Sequence, residues 1–294
     1  MHSSNAVAVT GARGRLGRAL VRALAARGRE VVEWSRPGYD LDQPSSARRL
    51  VDRDRPELVV HPAAWTDVDG CAREPEVAFR RNGEAVGALA AACAAAGAAL
   101  VLISTNEVFD GTRTDGRGYV EDDRTSPHNP YGASKLLGEQ LARAAYQEAG
   151  ADDRLWIVRT AWLYGPPGND FPSKILAAAD ALPPGQPLKV VTNEIGSPTY
   201  TIDLAQAILE LVERAPGATY HLAAPDAASR FDVAAEVMAR CRPEVELVPI
   251  SGLDFVRAST PPAWGVLDSW RASSLGVAIR PWREALADYL SAIC

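Results

Sequence analysis

Residues 129–135 read Asn-Pro-Tyr-Gly-Ala-Ser-Lys. Tyr131 and Lys135 are four apart at the start of an expected helix, so they share one of its faces. A free tyrosine titrates near pH ~10, too high to pass a proton efficiently at neutrality. A cation one turn away stabilises the phenolate and lowers that value. The chain is sparing with lysine. Its 31 Lys+Arg comprise Lys135, Lys174 and Lys189, leaving 28 arginines. Eight tyrosines would therefore meet a lysine at +4 only about 0.08 times by chance. A compact ammonium can also donate to a cofactor ribose hydroxyl, which a guanidinium does poorly.

A second polar cluster follows the apolar run Ala98-Ala99-Leu100-Val101-Leu102-Ile103, where residues 104–111 read Ser-Thr-Asn-Glu-Val-Phe-Asp-Gly. This is a strand ending in a polar tip. Thr105 offers a hydroxyl, Asn106 an amide and Glu107 a carboxylate. Together they suit a carbonyl reduction or a proton abstraction from a sugar. Asn106 cannot deliver a proton, whereas Glu107 can take one. Glu107 reads equally well as a solvated loop carboxylate or an ion-pair partner.

A third cluster is Gly11-x-x-Gly14-x-x-Gly17, after a first strand and opening a helix. Gly11 permits the tight turn, Gly14 lets backbone approach a pyrophosphate on the helix N-terminus, and Gly17 lets helix and strand pack closely. Arg13, Arg15 and Leu16 lie in the same turn. An acidic residue at the end of the second strand would hold ribose hydroxyls and select NAD. Ser35 and Arg36 stand there instead, with Arg13 nearby. Two guanidiniums and no carboxylate suit a 2′-phosphate. NADP(H) is therefore the expected cofactor, with NAD(H) the alternative.

The elements that must position these groups alternate. Strands are expected over 6–10, 30–34, 58–61, 98–105 and 155–159. Helices are expected over 15–27, 75–96 (one long alanine-rich helix) and 131–149, with Gly28 and Gly97 closing the first two. This order predicts an α/β fold, a Rossmann-type doubly wound parallel sheet covered on both faces. The second half is punctuated by Pro166-Pro167-Gly168 and Pro183-Pro184-Gly185, with helices near 171–181, 202–214 and 232–241. The division expected is a cofactor-binding domain over 1–160, and remaining sheet strands interleaved with a small substrate-binding lobe over 161–294.

Bulk properties exclude other classes. The 294 residues, 47% apolar, allow one sizeable core. A net charge of −6 gives no case for nucleic acid. No apolar run is long enough to span a membrane, and residues 1–5 lack the basic start of a signal peptide. Cys71, Cys93, Cys241 and Cys294 are scattered without metal spacing. They read as reduced thiols of a cytoplasmic protein.

With the glycine turn and Tyr-x-x-x-Lys in hand, the chain resembles the extended short-chain dehydrogenases/reductases. Within them it is most similar to the sugar-nucleotide 4-ketoreductases of the dTDP-4-dehydrorhamnose reductase group. The shared pieces are residues 9–20, 63–76, 104–111, 129–139, 158–165, 195–205 and 267–286. VFDG (108–111), RTAWLYG (159–165) and GSPTYTIDLA (196–205) point to the ketoreductase branch. The resemblance implies NADPH-dependent reduction of the C4 keto group of a nucleotide-linked 6-deoxysugar, in deoxysugar biosynthesis. It implies Tyr131 as proton donor, Lys135 as ribose holder and Thr105 at the carbonyl. Asp40 and Leu41 fall where the family contacts adenine. Ala63, Ala64, Trp65 and Thr66 fall along the pyrophosphate and nicotinamide-ribose side, and Trp162 where an aromatic stacks on the sugar. Asn106 and Glu107 join Thr66, Thr105 and Trp162 on the substrate side.

Two departures matter. The ketoreductases usually show Thr-Asp-Tyr and the related 4,6-dehydratases Thr-Asp-Glu where this chain has Thr105-Asn106-Glu107. The tip carries the dehydratase base without its acid, which favours reduction. The group also has Arg-Pro near Pro261-Pro262, so an arginine that could meet substrate is missing and Trp264 is added. Some relatives bind a metal at a dimer contact; no spacing here asserts one, and a homodimer is compatible with the resemblance. The alternatives are a nucleotide-sugar dehydratase or decarboxylase using Glu107, and a non-catalytic cofactor-binding regulatory subunit.

Overall fold

The computed structural model describes residues 6–183, 185–254 and 257–294. The signal-peptide expectation concerns residues 1–5, outside the described residues. Six strands form one sheet: β1 (Ala6–Thr10), β2 (Glu30–Trp34), β3 (Leu58–His61), β4 (Ala99–Thr105), β5 (Leu155–Thr160) and β6 (Thr219–His221). All pair in parallel, in the order β6-β5-β4-β3-β1-β2. Every residue of β1, β3, β4 and β5 is buried, as a sheet covered on both faces requires.

Helix α1 (Arg15–Ala26) buries Leu16, Ala19, Leu20, Ala23 and Leu24 at helical spacing, with arginines on its other side. It packs with α5 (Thr201–Arg214) on one face of the sheet. On the opposite face, α2 (Ser45–Asp54) and α4 (Pro130–Glu148) flank α3 (Ala85–Ala96). The parallel doubly wound architecture expected from the alternation is thus present. The chain crosses over after β2 to lay β3 on the other side of β1. The resulting crevice opens at the carboxyl ends of β1 and β3, where such sheets bind ligands.

In the second half, β6 returns to the main sheet. Leu188–Val191 pairs with Leu247–Ile250, and Ile195–Gly196 lies between Ala228–Ser229 and Trp264–Gly265. These short strands carried no alternation long enough to be expected.

One expectation is refined and one corrected. The helix over 75–96 is present and continuous, but Phe79–Glu84 is π-helical between the turn Pro75–Ala78 and α3. Asn82 sits in the widened turn. Its carboxamide accepts from the Trp65 N–H (2.8 Å) and donates to the Trp65 carbonyl (3.0 Å) and the Ser134 hydroxyl (3.2 Å). A tertiary polar anchor thus sits at the locally widened turn of an otherwise continuous helix. Nor are all four cysteines reduced. Cys241, ending the helix Arg230–Cys241, is disulfide-bonded to Cys294, with Cα atoms 5.4 Å apart. Docking of the C-terminal helix Trp282–Ser291 brings them together across 53 residues. Cys71 and Cys93 are buried and free.

Candidate active site

The polar tip and the tyrosine helix are built against each other. Thr105 ends β4 and caps a single 3-10 turn, Asn106–Val108, its Oγ1 accepting from the Glu107 N–H (3.2 Å). Asn129 caps α4 by accepting from the Gly132 N–H (2.8 Å), and Pro130 opens the helix where no N–H is needed. The same Asn129 donates through Nδ2 to Glu107 Oε2 (2.6 Å) and to the Thr260 carbonyl (3.2 Å). A Cβ at Gly132 would overlap the Glu107 carbonyl. Only glycine lets the helix start approach the tip so closely.

Burial, and then the Glu107 charge, raise the Tyr131 pKa above its ordinary value, opposed by the neighbouring Thr105 hydroxyl. The expected lowering by Lys135 is absent. The Lys135 ammonium is buried and donates to the Ile103 carbonyl at 2.7 Å. Burial pushes Lys135 down to about 8, partly opposed by Glu139. For Glu139, one turn further along α4, burial alone would raise the carboxyl. The paired Arg159 guanidinium (2.8 and 2.9 Å), the Ser104 hydroxyl (2.6 Å) and Arg143 (3.1 Å) outweigh it and hold the group below the usual range.

Glu107 is half-buried and held by Asn129 rather than a freely solvated loop carboxylate. Burial raises its pKa, opposed by Asn129 and by the charges of Arg230 and Arg257. Asn106 is buried, donates to the Gly265 carbonyl (3.1 Å), and accepts from the Thr105 hydroxyl (3.3 Å). Its amide ties the tip to the C-terminal half. Arg230, Arg257 and Glu194 escaped the sequence reading. Arg230 Nε lies 3.5 Å from Glu194, as does Arg257 Nη1, while Arg257 Nε reaches Asp69 at 3.3 Å. Two arginines thus stand beside Glu107 although Pro261-Pro262 lacks the family's arginine. Their only sequence signal was that they are arginines among 28. Trp162 adopts a left-handed backbone (φ 45°), and the Arg230 guanidinium covers its ring at 3.6 Å. A sugar stacking on this ring would meet Arg230 as well.

At the glycine turn, Gly11 has φ 54°, and a Cβ at Gly17 would collide with the Gly11 carbonyl. Gly14 caps α1 without a side-chain hydrogen bond, so the first N–H groups of the helix remain available to an anion. Arg15 is drawn elsewhere, donating to the carbonyls of Leu163 (3.2 Å) and Asn169 (2.8 Å). Leu16 is buried in the core. Arg13 and Arg36 are exposed; Ser35 is half-buried, and its hydroxyl oxygen is buried without a partner. Asp40 accepts from the Asp42 N–H (3.0 Å), and Leu41 packs on the core beneath. Ala63, Ala64 and Trp65 are half-buried after β3 and Thr66 is exposed. The Ala63 N–H donates to Thr10 Oγ1 (3.3 Å), and Arg81 lies over the Trp65 ring (5.2 Å). An uncapped helix start, a Cβ-free cradle and an orphaned Ser35 hydroxyl fit a nucleotide phosphate group. Among the described residues, no cluster of three or more His, Cys, Asp or Glu could hold a metal, and no helix could cross a membrane.

The model of the RmlD substrate binding domain matches residues 5–294. The chain belongs to this family. It is 38% identical over 294 residues to a dTDP-4-dehydrorhamnose reductase of Mycolicibacterium smegmatis, covering 98% of this chain and 85% of that one. It is 36% identical over 284 residues to the spore coat polysaccharide biosynthesis protein SpsK of Bacillus subtilis, covering 97% and 96%. Among solved structures, dTDP-4-dehydrorhamnose reductase from Bacillus anthracis in complex with NADP superposes with a TM-score of 0.90 at 30% identity, covering 98% of this chain and 99% of that chain.

Proposed function

We propose that the protein reduces the C4 keto group of a nucleotide-linked 6-deoxysugar with NADPH, dTDP-4-dehydro-L-rhamnose or a close relative being the substrate. The observation that carries this reading is the arrangement at the tip. Thr105 stands near enough to Tyr131 to draw its pKa down, whereas Asn106 is turned to Gly265. Reduction needs a carbonyl-polarising hydroxyl and a proton donor, and both are adjacent. Elimination needs an acid beside Glu107, and the neighbouring side chain is an amide held away. The reductase names of the family relatives and the NADP in the B. anthracis structure support the same reading.

Bound NADPH supplies the hydride. Gly11, Arg13, Gly14, Arg15, Leu16 and Gly17 form the turn that receives the pyrophosphate, with Ser35 and Arg36 at the 2′-phosphate and Asp40 and Leu41 at adenine. Ala63, Ala64 and Trp65 line the path to the ribose that Lys135 holds. Thr105 donates to the carbonyl oxygen, where negative charge develops, and Tyr131 protonates it. Thr66, Asn106, Glu107 and Trp162 shape the sugar site, Asn106 through its tie to Gly265. Residues 1–160 form the cofactor-binding domain, and 161–294 complete the sheet and supply the substrate lobe. The protein acts in the cytoplasm, where nucleotide sugars are made, as a homodimer. The Cys241–Cys294 bond is the one feature pulling against a reducing compartment.

Two separate assays test this. NADPH should be oxidised with dTDP-4-keto-L-rhamnose generated in situ, and dTDP-glucose with NAD should give no 4-keto product. Water loss from dTDP-glucose that disappears in Glu107→Gln would make the tip a dehydratase loop.

A further inference from the structure

The outer face of α1 carries charge that the reaction does not use. Arg15, Arg18 and Arg22 recur at helical spacing and so stand on one side. With Pro166, Thr201 and Ile202 they line a cavity of ≈ 50 Å³ between α1 and the start of α5. Among the described residues no carboxylate pairs with Arg18 or Arg22, and Arg18 donates to the Arg13 carbonyl (2.8 Å). Of the acids nearby, Asp203 is engaged elsewhere and Asp170, of the three arginines, faces Arg15 alone. Asp203 is paired with Arg280 at 2.6 Å. Asp170 accepts from Gly165 N–H (2.8 Å) and from the Tyr289 hydroxyl (2.9 Å), standing 3.9 Å from Arg15.

Two further observations point inward. The 14-residue helix α5 begins at this wall without a side-chain cap, so its first N–H groups present the positive end of the helix. Thr201, at its first position, is fully buried, yet its hydroxyl oxygen has no partner. A buried hydroxyl left without a hydrogen bond is costly, whereas valine would fill the same space without that cost. The Arg15 Nε is likewise buried without a hydrogen bond.

We propose that this cavity is a second anion site, taking a tetrahedral oxyanion of the phosphate class, separate from the glycine turn. Arg18 and Arg22 supply charge from the rim, and Thr201 and the first turn of α5 donate from the floor. An anion held there braces the Pro166 loop, to which Arg15 already ties the glycine turn.

The test is calorimetric titration of inorganic phosphate into protein saturated with NADP⁺, so that the cofactor's own phosphate sites are filled, with chloride holding ionic strength constant. One phosphate should bind. Arg18→Gln/Arg22→Gln should weaken it by about tenfold or more, the scale of a lost charge-assisted contact. Thr201→Val should weaken it several-fold, and both variants should keep wild-type NADP⁺ affinity. A parallel titration without NADP⁺ keeps the result readable if the cofactor assignment is wrong, because the arginine variant should weaken one phosphate there too. Absence of phosphate binding would overturn the proposal. So would binding that disappears once NADP⁺ is added, or binding unchanged in both variants.

Discussion

Replacing Lys135 with methionine should make the protein more stable and inactive. The ammonium is buried at 4% exposure, and burial takes its pKa from 10.5 to about 8. Each pH unit of that gap costs ~1.4 kcal/mol, so keeping the charge inside costs about 3 kcal/mol at neutral pH. Its hydrogen bond to Ile103 O returns roughly 1–2 kcal/mol. Methionine is of similar length and apolar, so Lys135→Met should gain about 1–2 kcal/mol at pH 7, a Tm rise of a few degrees. The pH dependence has a definite sign. Below about 8 the lysine is charged in both folded and unfolded chains and the cost is complete. Between about 8 and 10.5 the folded protein loses its proton first, the cost shrinks, and wild type should approach the variant. Urea unfolding of both proteins at pH 7 and near pH 10 measures the gap. A variant less stable than wild type at pH 7, or a gap unchanged at pH 10, would refute the reasoning. Reductase activity that depends on the ammonium should fall as pH rises through about 8.

Tyr131→Phe should lower kcat by about a hundredfold or more while NADPH affinity is kept, since only the proton donor is removed; an active variant would remove Tyr131 from the chemistry. Arg36→Ala should weaken NADPH but not NADH, by about 1–3 kcal/mol in fluorescence titrations, and wild-type protein that binds NADH more tightly would sink the 2′-phosphate assignment. Cys294→Ser should cost up to about 4 kcal/mol, the chain-entropy scale for a 53-residue closure. Reducing agent should lower the wild-type Tm and leave the serine variant unmoved; equal responses would show that the bond is not formed in solution.

Sequence alone determined whatever depends on near neighbours in the chain. The alternation of short apolar runs with helical segments specified the parallel sheet, because each element's burial pattern is written in its own few residues. The glycine turn was legible because a positive φ at Gly11 and the helix–strand approach at Gly17 act within seven residues. Tyr131 and Lys135 share a face through helix geometry alone. Tertiary structure decided the rest, because burial and charge depend on residues distant in sequence. Whether Lys135 lowers the Tyr131 pKa turned on the Ile103 carbonyl and on burial, and the outcome opposed the local rule. The state of Glu107 rests on Asn129, Arg230 and Arg257, two of which no motif marked. The widened turn at Asn82 answers to Trp65 and Ser134, and the Cys241–Cys294 bond to the docking of two helices. Local spacing can say which groups stand side by side on one element; only the packed chain sets their dielectric surroundings and their partners from afar.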